Sequence, residues 1–204
     1  MSPSKLRVTA LIAAAGGACW LALVPFAIVN AGKYDPLVLD TAGGYLQYGL
    51  FTLSLALTVP ALLALHLHQG GADGRLGRAG ALVAIAGVAT QCVVIAAIVA
   101  AGQETSWFGT TAPIAIATWF IGSILLAIAI RRARLMPGWV AIALPVVTLL
   151  AIVGAEFGTS VLIGLFQVGI GLRIARAADA RATRASGSLG SREAELVPAS
   201  GSQS

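Results

Sequence analysis

The chain has 204 residues, of which 58% are hydrophobic and only 10% are charged, and its mean hydropathy is +0.90. A water-soluble domain carries about a quarter charged residues, so this composition excludes a soluble globular protein and predicts an integral membrane protein. The formal net charge of +5 does not predict nucleic-acid binding, because the basic residues fall in short connections between apolar segments.

Apolar segments long enough to cross a bilayer as helices follow one another along residues 1–176. They predict an all-α bundle of six transmembrane helices. The predicted spans are 8–30, 45–67, 79–101, 112–130, 139–155 and 159–174. The first span follows Lys5 and Arg7, as in a signal peptide, but its apolar run is about 22 residues long and predicts a retained helix.

The last apolar block, from Trp139 to Leu172, is too long for a single span. Glu156, Gly158 and Thr159 interrupt it near the middle, which predicts a hairpin of two short helices. A re-entrant segment is the alternative interpretation of this block.

The distribution of basic residues predicts the orientation, because cytoplasmic loops are enriched in Lys and Arg. With six helices and both termini in the cytoplasm, 12 of the 13 basic residues lie on the cytoplasmic side. These are Lys5, Arg7, Arg75, Arg78, Arg131, Arg132, Arg134, Arg173, Arg176, Arg181, Arg184 and Arg192. The outer side keeps Lys33 and the acids Asp35, Asp40, Glu104 and Glu156. This asymmetry predicts a multi-pass cell-membrane protein, and the richness in Ala, Gly and Arg suggests a bacterial inner membrane.

Residues 177–204 differ in composition from the rest of the chain. The arginines at 173, 176, 181 and 184 are spaced for an amphipathic helix on the inner leaflet. The Ser- and Gly-rich sequence that follows is typical of disorder. We therefore predict a basic segment followed by a disordered cytoplasmic tail.

Polar side chains at membrane depth are candidates for function, because hydrocarbon offers them no hydrogen-bond partner. Gln91 and Gln167 fall near the centres of the third and sixth predicted helices. Each amide is a candidate ligand-binding group. The alternative is a structural hydrogen bond between helices.

Glu104 and Glu156 are predicted at the outer ends of the helices, where the bundle would bring them to one mouth. Like charge and desolvation both raise a carboxyl pKa, as an acid catalyst or a proton-coupled carrier requires. These two residues are candidate catalytic acids if the protein is an enzyme, and candidate ligand-binding groups if it is not. The alternative is that both face outer water.

The sequence predicts no cofactor and no metal site. His66 and His68, the only histidines, point about 200° apart on a helix and cannot share one metal ion. Cys19 and Cys92 lie within apolar spans, where cysteine is usually a small buried hydrophobe. Motifs for ATP hydrolysis and metalloprotease chemistry are absent from the chain.

Ala10, Ala14 and Ala18 form a row with four-residue spacing on the first helix. Rows of small residues permit close helix contact, so this row is a candidate surface for a membrane protein partner. In length, helix number and orientation the chain resembles the substrate-binding subunits of energy-coupling vitamin transporters. Their first helix packs on a partner through such alanines. The resemblance extends to no substrate-site motif.

Three functions remain open from the sequence. The first is a transport or binding component that holds a small solute, a lipid or another apolar or amphipathic ligand within the bundle. The second is a non-catalytic assembly or regulatory subunit. The third is an intramembrane enzyme with terpene-cyclase-like general-acid chemistry at Glu156 or Glu104, for which the low aromatic content of 6% offers little carbocation stabilisation.

Overall fold

The structure is a computed structural model that describes residues 3–30, 38–153 and 159–196. These residues form six α-helices. The helices are α1 (Pro3–Val29), α2 (Ala42–His68), α3 (Gly74–Ala101), α4 (Phe108–Ala133), α5 (Gly138–Val153) and α6 (Ser160–Leu196). Five of them are long and apolar enough to cross a membrane. The exception is α5, whose apolar segment, Gly138–Ala151, is shorter.

The prediction of an all-helical bundle is confirmed: the described residues form six helices, of which five are long and apolar enough to span a membrane. The last apolar block forms α5 and α6, and that both cross the membrane stays a prediction. Glu156 and Gly158, which were taken to mark this division, lie outside the described residues. One boundary differs from the prediction. The α6 backbone continues past residue 174 to Leu196, through part of the segment for which we predicted disorder. The alanines and arginines of residues 175–185 favour helix, which accounts for the first part of the extension.

The helix ends follow from local sequence. Thr41 begins α2 because its hydroxyl accepts a hydrogen bond from the Gly44 amide at 3.1 Å. Gly102 ends α3 in the left-handed conformation, at φ 70°, and its amide donates to the Ile98 carbonyl at 2.8 Å. Arg134 ends α4 in the same way at φ 54°, although it is not a glycine.

Neighbouring helices in the chain are antiparallel neighbours in the bundle, and α6 returns to pack against α1. The α1–α6 contact is close because glycines face it. A Cβ atom on Gly171 would stand 2.6 Å from the Ala10 carbonyl oxygen, and a Cβ on Gly17 would stand 2.6 Å from the Gly164 carbonyl oxygen. Small residues therefore let these two backbones touch.

The second close contact joins α3 to α4. A Cβ atom on Gly80 would lie 2.5 Å from the Leu126 amide nitrogen, and a Cβ on Gly122 would overlap the Ala84 backbone. Gly87 lies equally close to Trp119. The small face of the third helix, visible in the sequence as Gly80, Ala84 and Gly87, is thus the surface on which α4 packs.

The remaining two helices complete the bundle. α2 packs between α1 and α3 and also touches α6, whereas α5 packs mainly on α4 and touches α6 less. The outer surface is apolar: Ile114, Ile121 and Ile128 are 61%, 54% and 41% exposed at seven-residue spacing along α4. Such a stripe faces lipid in a membrane protein.

The two ends of the bundle differ in charge. We call the end that contains the start of α1, the α2–α3 connection and the α4–α5 connection the basic end. Its described basic residues are Lys5, Arg7, Arg75, Arg78, Arg131, Arg132, Arg134, Arg173, Arg176 and Arg181. Among the described residues, the opposite end carries Asp40 and Glu104 and neither Lys nor Arg. The alternating direction of the helices produces this separation.

Candidate functional site

Three buried polar side chains from α1, α2 and α6 meet within the bundle, and we call Trp20, Thr58 and Gln167 the central cluster. The Thr58 hydroxyl accepts hydrogen bonds from Trp20 Nε1 at 3.1 Å and from Gln167 Nε2 at 2.8 Å. The same hydroxyl donates to the Ser54 carbonyl at 2.8 Å. One threonine therefore joins three helices.

Local packing positions this cluster. Gly16 on α1 leaves room for Gln167, since a Cβ at residue 16 would stand 3.2 Å from Gln167 Oε1 and 2.6 Å from Leu57 Cβ. The Trp20 ring packs edge-to-face on Phe51 with 5.5 Å between the ring centroids. These contacts hold the indole N–H toward Thr58.

Gln167 Oε1 is buried and has no hydrogen-bond partner among the described residues. Its side-chain nitrogen is satisfied by Thr58, so half of the amide is paired and half is not. An unpaired buried acceptor costs about 1–3 kcal/mol. Gln167, predicted as a ligand-binding candidate, is therefore buried at the centre of the bundle with one acceptor unused.

Gln91 is the second predicted amide, and only 6% of its surface is exposed. It lies one turn beyond Gly87 on the face of α3 that packs on α4. Its Oε1 atom also lacks a partner among the described residues. Gln91 and Gln167 do not hydrogen-bond to each other, so they form two separate sites, each with a free acceptor.

The predicted acids do not form a described pair. Glu104 is exposed in the connection between α3 and α4. Glu156 lies outside the described residues, and so does the connection that carries it. The described structure thus shows one of the two carboxylates in contact with solvent at the end opposite the basic end.

A second polar group, absent from the sequence predictions, lies at the α2–α3 connection, and we call His66, His68, Gln69 and Asp73 the basic-end cluster. His66 Nδ1 stands 2.5 Å from Asp73 Oδ2, and the Asp73 side chain is completely buried. His68 Nδ1, Gln69 Oε1 and Asp73 Oδ1 are buried without partners among the described residues. Arg173 and Arg181 of α6 are near enough for their charges to act on His68.

Sequence analysis considered His66 and His68 only as metal ligands, without the loop that follows them. The missed signal is Asp73 with Gly77 four residues later. The side chain of Asp73 occupies the space that a Cβ on Gly77 would fill, so the glycine admits the carboxylate against α3. An isolated acid at the start of a helix, with a glycine four residues later, is the sequence pattern that indicates a buried carboxylate of this kind.

The described residues do not assemble a metal site: no group of three or more His, Cys, Asp or Glu side chains within them is placed to hold an ion. The polar contact between α4 and α5 is neutral, with Thr148 Oγ1 donating to the Leu144 carbonyl at 2.8 Å and lying 3.3 Å from Ser123 Oγ. The described polar interior thus consists mainly of amides and hydroxyls, with its ionisable groups at the basic end.

The fold and these sites are those of a membrane-spanning type of α-helical bundle with neutral polar groups buried among its helices. No protein-family model, curated protein or solved structure matches this chain.

Proposed function

We propose that this protein is a membrane-embedded binding component for a small solute or lipid, serving transport. The observation that carries the proposal is the unused acceptor on each of two buried amides, Gln91 and Gln167. Hydrocarbon offers an unpaired carbonyl oxygen no hydrogen-bond donor. A ligand with hydroxyl or N–H groups would supply the donors that these two oxygens lack.

The acceptors are closely packed, so a ligand would reach them only when helices separate. The α5–α6 contact is the natural place for this motion, because α5 is short and packs mainly on α4. The α1–α6 contact, closed by glycines, would move as a rigid pair, whereas access to Gln91 needs α4 to separate from α3 beyond Gly87. Motion of one rigid group of helices against another is how many transporters expose a central site.

We further propose that both termini face the cytoplasm and that the membrane is a bacterial inner membrane. The separation of the basic residues from Asp40 and Glu104 supports this orientation, because positive residues are retained on the cytoplasmic side. Cysteine substitution at Ser4 and at Gln103, followed by labelling with a membrane-impermeant maleimide, tests it. Labelling from outside at Gln103 alone is the expected result.

Native mass spectrometry of the protein released from mild detergent tests ligand binding. The wild-type protein is expected to retain a small molecule. Gln167→Leu and Gln91→Leu should each reduce the retained fraction at least tenfold, because each removes an acceptor of about 1.4 kcal/mol or more. Gln103→Leu is the matched control, since that amide is exposed at the opposite end.

The proposal fails if the wild-type protein retains neither a small solute nor a lipid. It also fails if the two leucine variants retain the ligand as well as the control does. In that second case the amides act only in helix packing.

A non-catalytic assembly or regulatory subunit is the second candidate, and the exposed Ala18 on α1 leaves a small-residue surface for it. Ala10 and Ala14, proposed as part of a partner surface, lie against Gly171 of α6 within the same chain, whereas Ala18 is exposed. An outside partner would therefore meet α1 near Ala18. Ala18→Phe should release a co-purifying partner if this candidate is correct, and should leave ligand retention unchanged.

The intramembrane-enzyme alternative now rests on Glu156, since the exposure of Glu104 does not provide the desolvation that an acid catalyst uses. Conversion of an isoprenoid substrate by the wild-type protein, lost in Glu156→Gln and kept in Glu104→Gln, would support this alternative. Absence of conversion in the wild-type protein would remove it.

A further inference from the structure

An open groove lies at the end of α4 on the basic end, and three arginines line it. Its lining residues are Ile128, Arg131, Arg132 and Arg134, and its volume is about 540 Å³. All three arginines are exposed, so the groove has room for a ligand without any helix movement. This distinguishes it from the buried amides of the central region.

The positive charge of the groove is not neutralised by the described part of the chain. The ion pairs there join Arg7 to Asp179 and His66 to Asp73, and neither includes an arginine of the groove. Three like charges within four residues repel one another. An anion bound between them would remove that repulsion.

The backbone conformation of Arg134 is a second, independent indication that this arginine has a functional role. Arg134 adopts φ 54°, and it is the one non-glycine residue with positive φ among those described. Glycine is the usual residue at this position after a helix, because a Cβ atom disfavours the left-handed conformation. Strained positions of this kind concentrate at functional sites.

The surroundings of the groove indicate the kind of anion. It lies at the end of the apolar segment of α4, which is where lipid headgroups meet a membrane-spanning helix. Ile128 in its wall and Leu135 beside it are 41% and 50% exposed, which gives acyl chains an apolar surface next to the charges. We propose that Arg131, Arg132 and Arg134 form a discrete site for the phosphodiester headgroup of an anionic phospholipid.

Arginine suits this ligand because its planar guanidinium matches the oxygens of a phosphate with two parallel hydrogen bonds. A free phosphate ion shares that chemistry but makes no use of the apolar wall. The site is independent of the ligand proposed at Gln91 and Gln167, which lie inside the bundle.

Native mass spectrometry with added phosphatidylglycerol or phosphatidylcholine tests the site. Both lipids carry a phosphodiester, and only phosphatidylglycerol has net negative charge. One phosphatidylglycerol molecule is expected to remain bound in preference to phosphatidylcholine. The double variant Arg131→Gln/Arg132→Gln should weaken that binding about 25-fold, since each basic residue near a lipid surface contributes about a factor of five.

The matched control is Arg75→Gln/Arg78→Gln, which removes the same charge from exposed residues at the same end. Equal loss of binding in both double variants would overturn the proposal in favour of diffuse attraction to the whole basic end. Equal retention of the two lipids would also overturn it. Full competition by inorganic phosphate would assign the site to a free anion instead of a lipid.

Arg134→Gly separates a binding role from a structural one. Glycine relieves the left-handed strain, so this variant is expected to melt at a higher temperature while it binds phosphatidylglycerol about fivefold more weakly. A lower melting temperature with unchanged lipid binding would show that Arg134 serves the fold alone.

Discussion

The central cluster and the basic-end cluster are both buried and polar, but the first is made of neutral side chains and the second contains ionisable ones. The central cluster joins Trp20, Thr58 and Gln167, residues 38 and 109 positions apart in hydrogen-bonded pairs, and contains no ionisable group. The basic-end cluster holds a hydrogen bond between two ionisable residues, His66 and Asp73, only seven positions apart. Depth explains the difference, because a charge is far more costly in hydrocarbon than near the headgroups.

The two clusters therefore contribute differently to the fold. The central cluster ties three helices from distant parts of the chain, so its hydrogen bonds form only when the bundle is assembled. The basic-end cluster fixes one local connection between α2 and α3. Loss of the first should weaken the whole bundle, whereas loss of the second should loosen one end.

Thr58→Val is expected to give the largest effect in this comparison. Valine keeps the shape of threonine but leaves Trp20 Nε1 and Gln167 Nε2 without their acceptor. Two buried donors without partners should lower the free energy of unfolding by about 2–4 kcal/mol. Unfolding by dodecyl sulfate titration in mild detergent measures it.

Thr118→Val is the control for this measurement, because Thr118 is only partly buried and its hydroxyl bonds to the Ile114 carbonyl of its own helix, at 2.7 Å. Its effect should be near zero. If both variants unfold at the same dodecyl sulfate fraction, the central cluster does not hold the three helices together.

How far the sequence predicts this molecule differs between the same two regions. The helices, the split before α6 and the small face of α3 follow from apolar length and glycine spacing, which are local properties of the chain. Gln167 was identified as a candidate because an amide at membrane depth is unusual. Its partners Thr58 and Trp20 were not, since nothing local relates residues on three separate helices.

The basic-end cluster was missed for a different reason. All of its members are close in sequence, but polar residues at a helix end are normally solvated, and composition alone cannot indicate burial. Burial of Asp73 depends on the space that Gly77 leaves beside it on α3. Sequence analysis predicted a site at Glu104 and Glu156, at the opposite end, because carboxylates near apolar segments are unusual. Glu104 is exposed.

Gly77→Ala should give an intermediate effect confined to the basic end. The new methyl group would overlap the Asp73 carboxylate and push it away from α3. We expect the free energy of unfolding to fall by about 2 kcal/mol, as for other overpacked sites. The same dodecyl sulfate titration measures this change.

Gly109→Ala is the matched helical control, with no atom within 4 Å of an added Cβ. Alanine favours helix over glycine, so this variant should be neutral or slightly more stable. Equal free energies of unfolding for the two variants would mean that the space beside Gly77 is not needed by the Asp73 carboxylate.

Asp73→Asn should give the smallest effect of the series, about 1 kcal/mol, because asparagine keeps the size of the side chain and gives up only the charge that faces His66. Asp179→Asn breaks the other described ion pair, whose Arg7 and Asp179 side chains are 55% and 53% exposed. Solvent and salt screen such a pair, so its loss should be close to undetectable. Repeating both measurements in 0.5 M salt distinguishes the two pairs, because the Debye length there is about a third of its value in dilute buffer. The Asp73 effect should persist in high salt because the carboxylate is buried, and an effect that disappeared there would place Asp73 in contact with water.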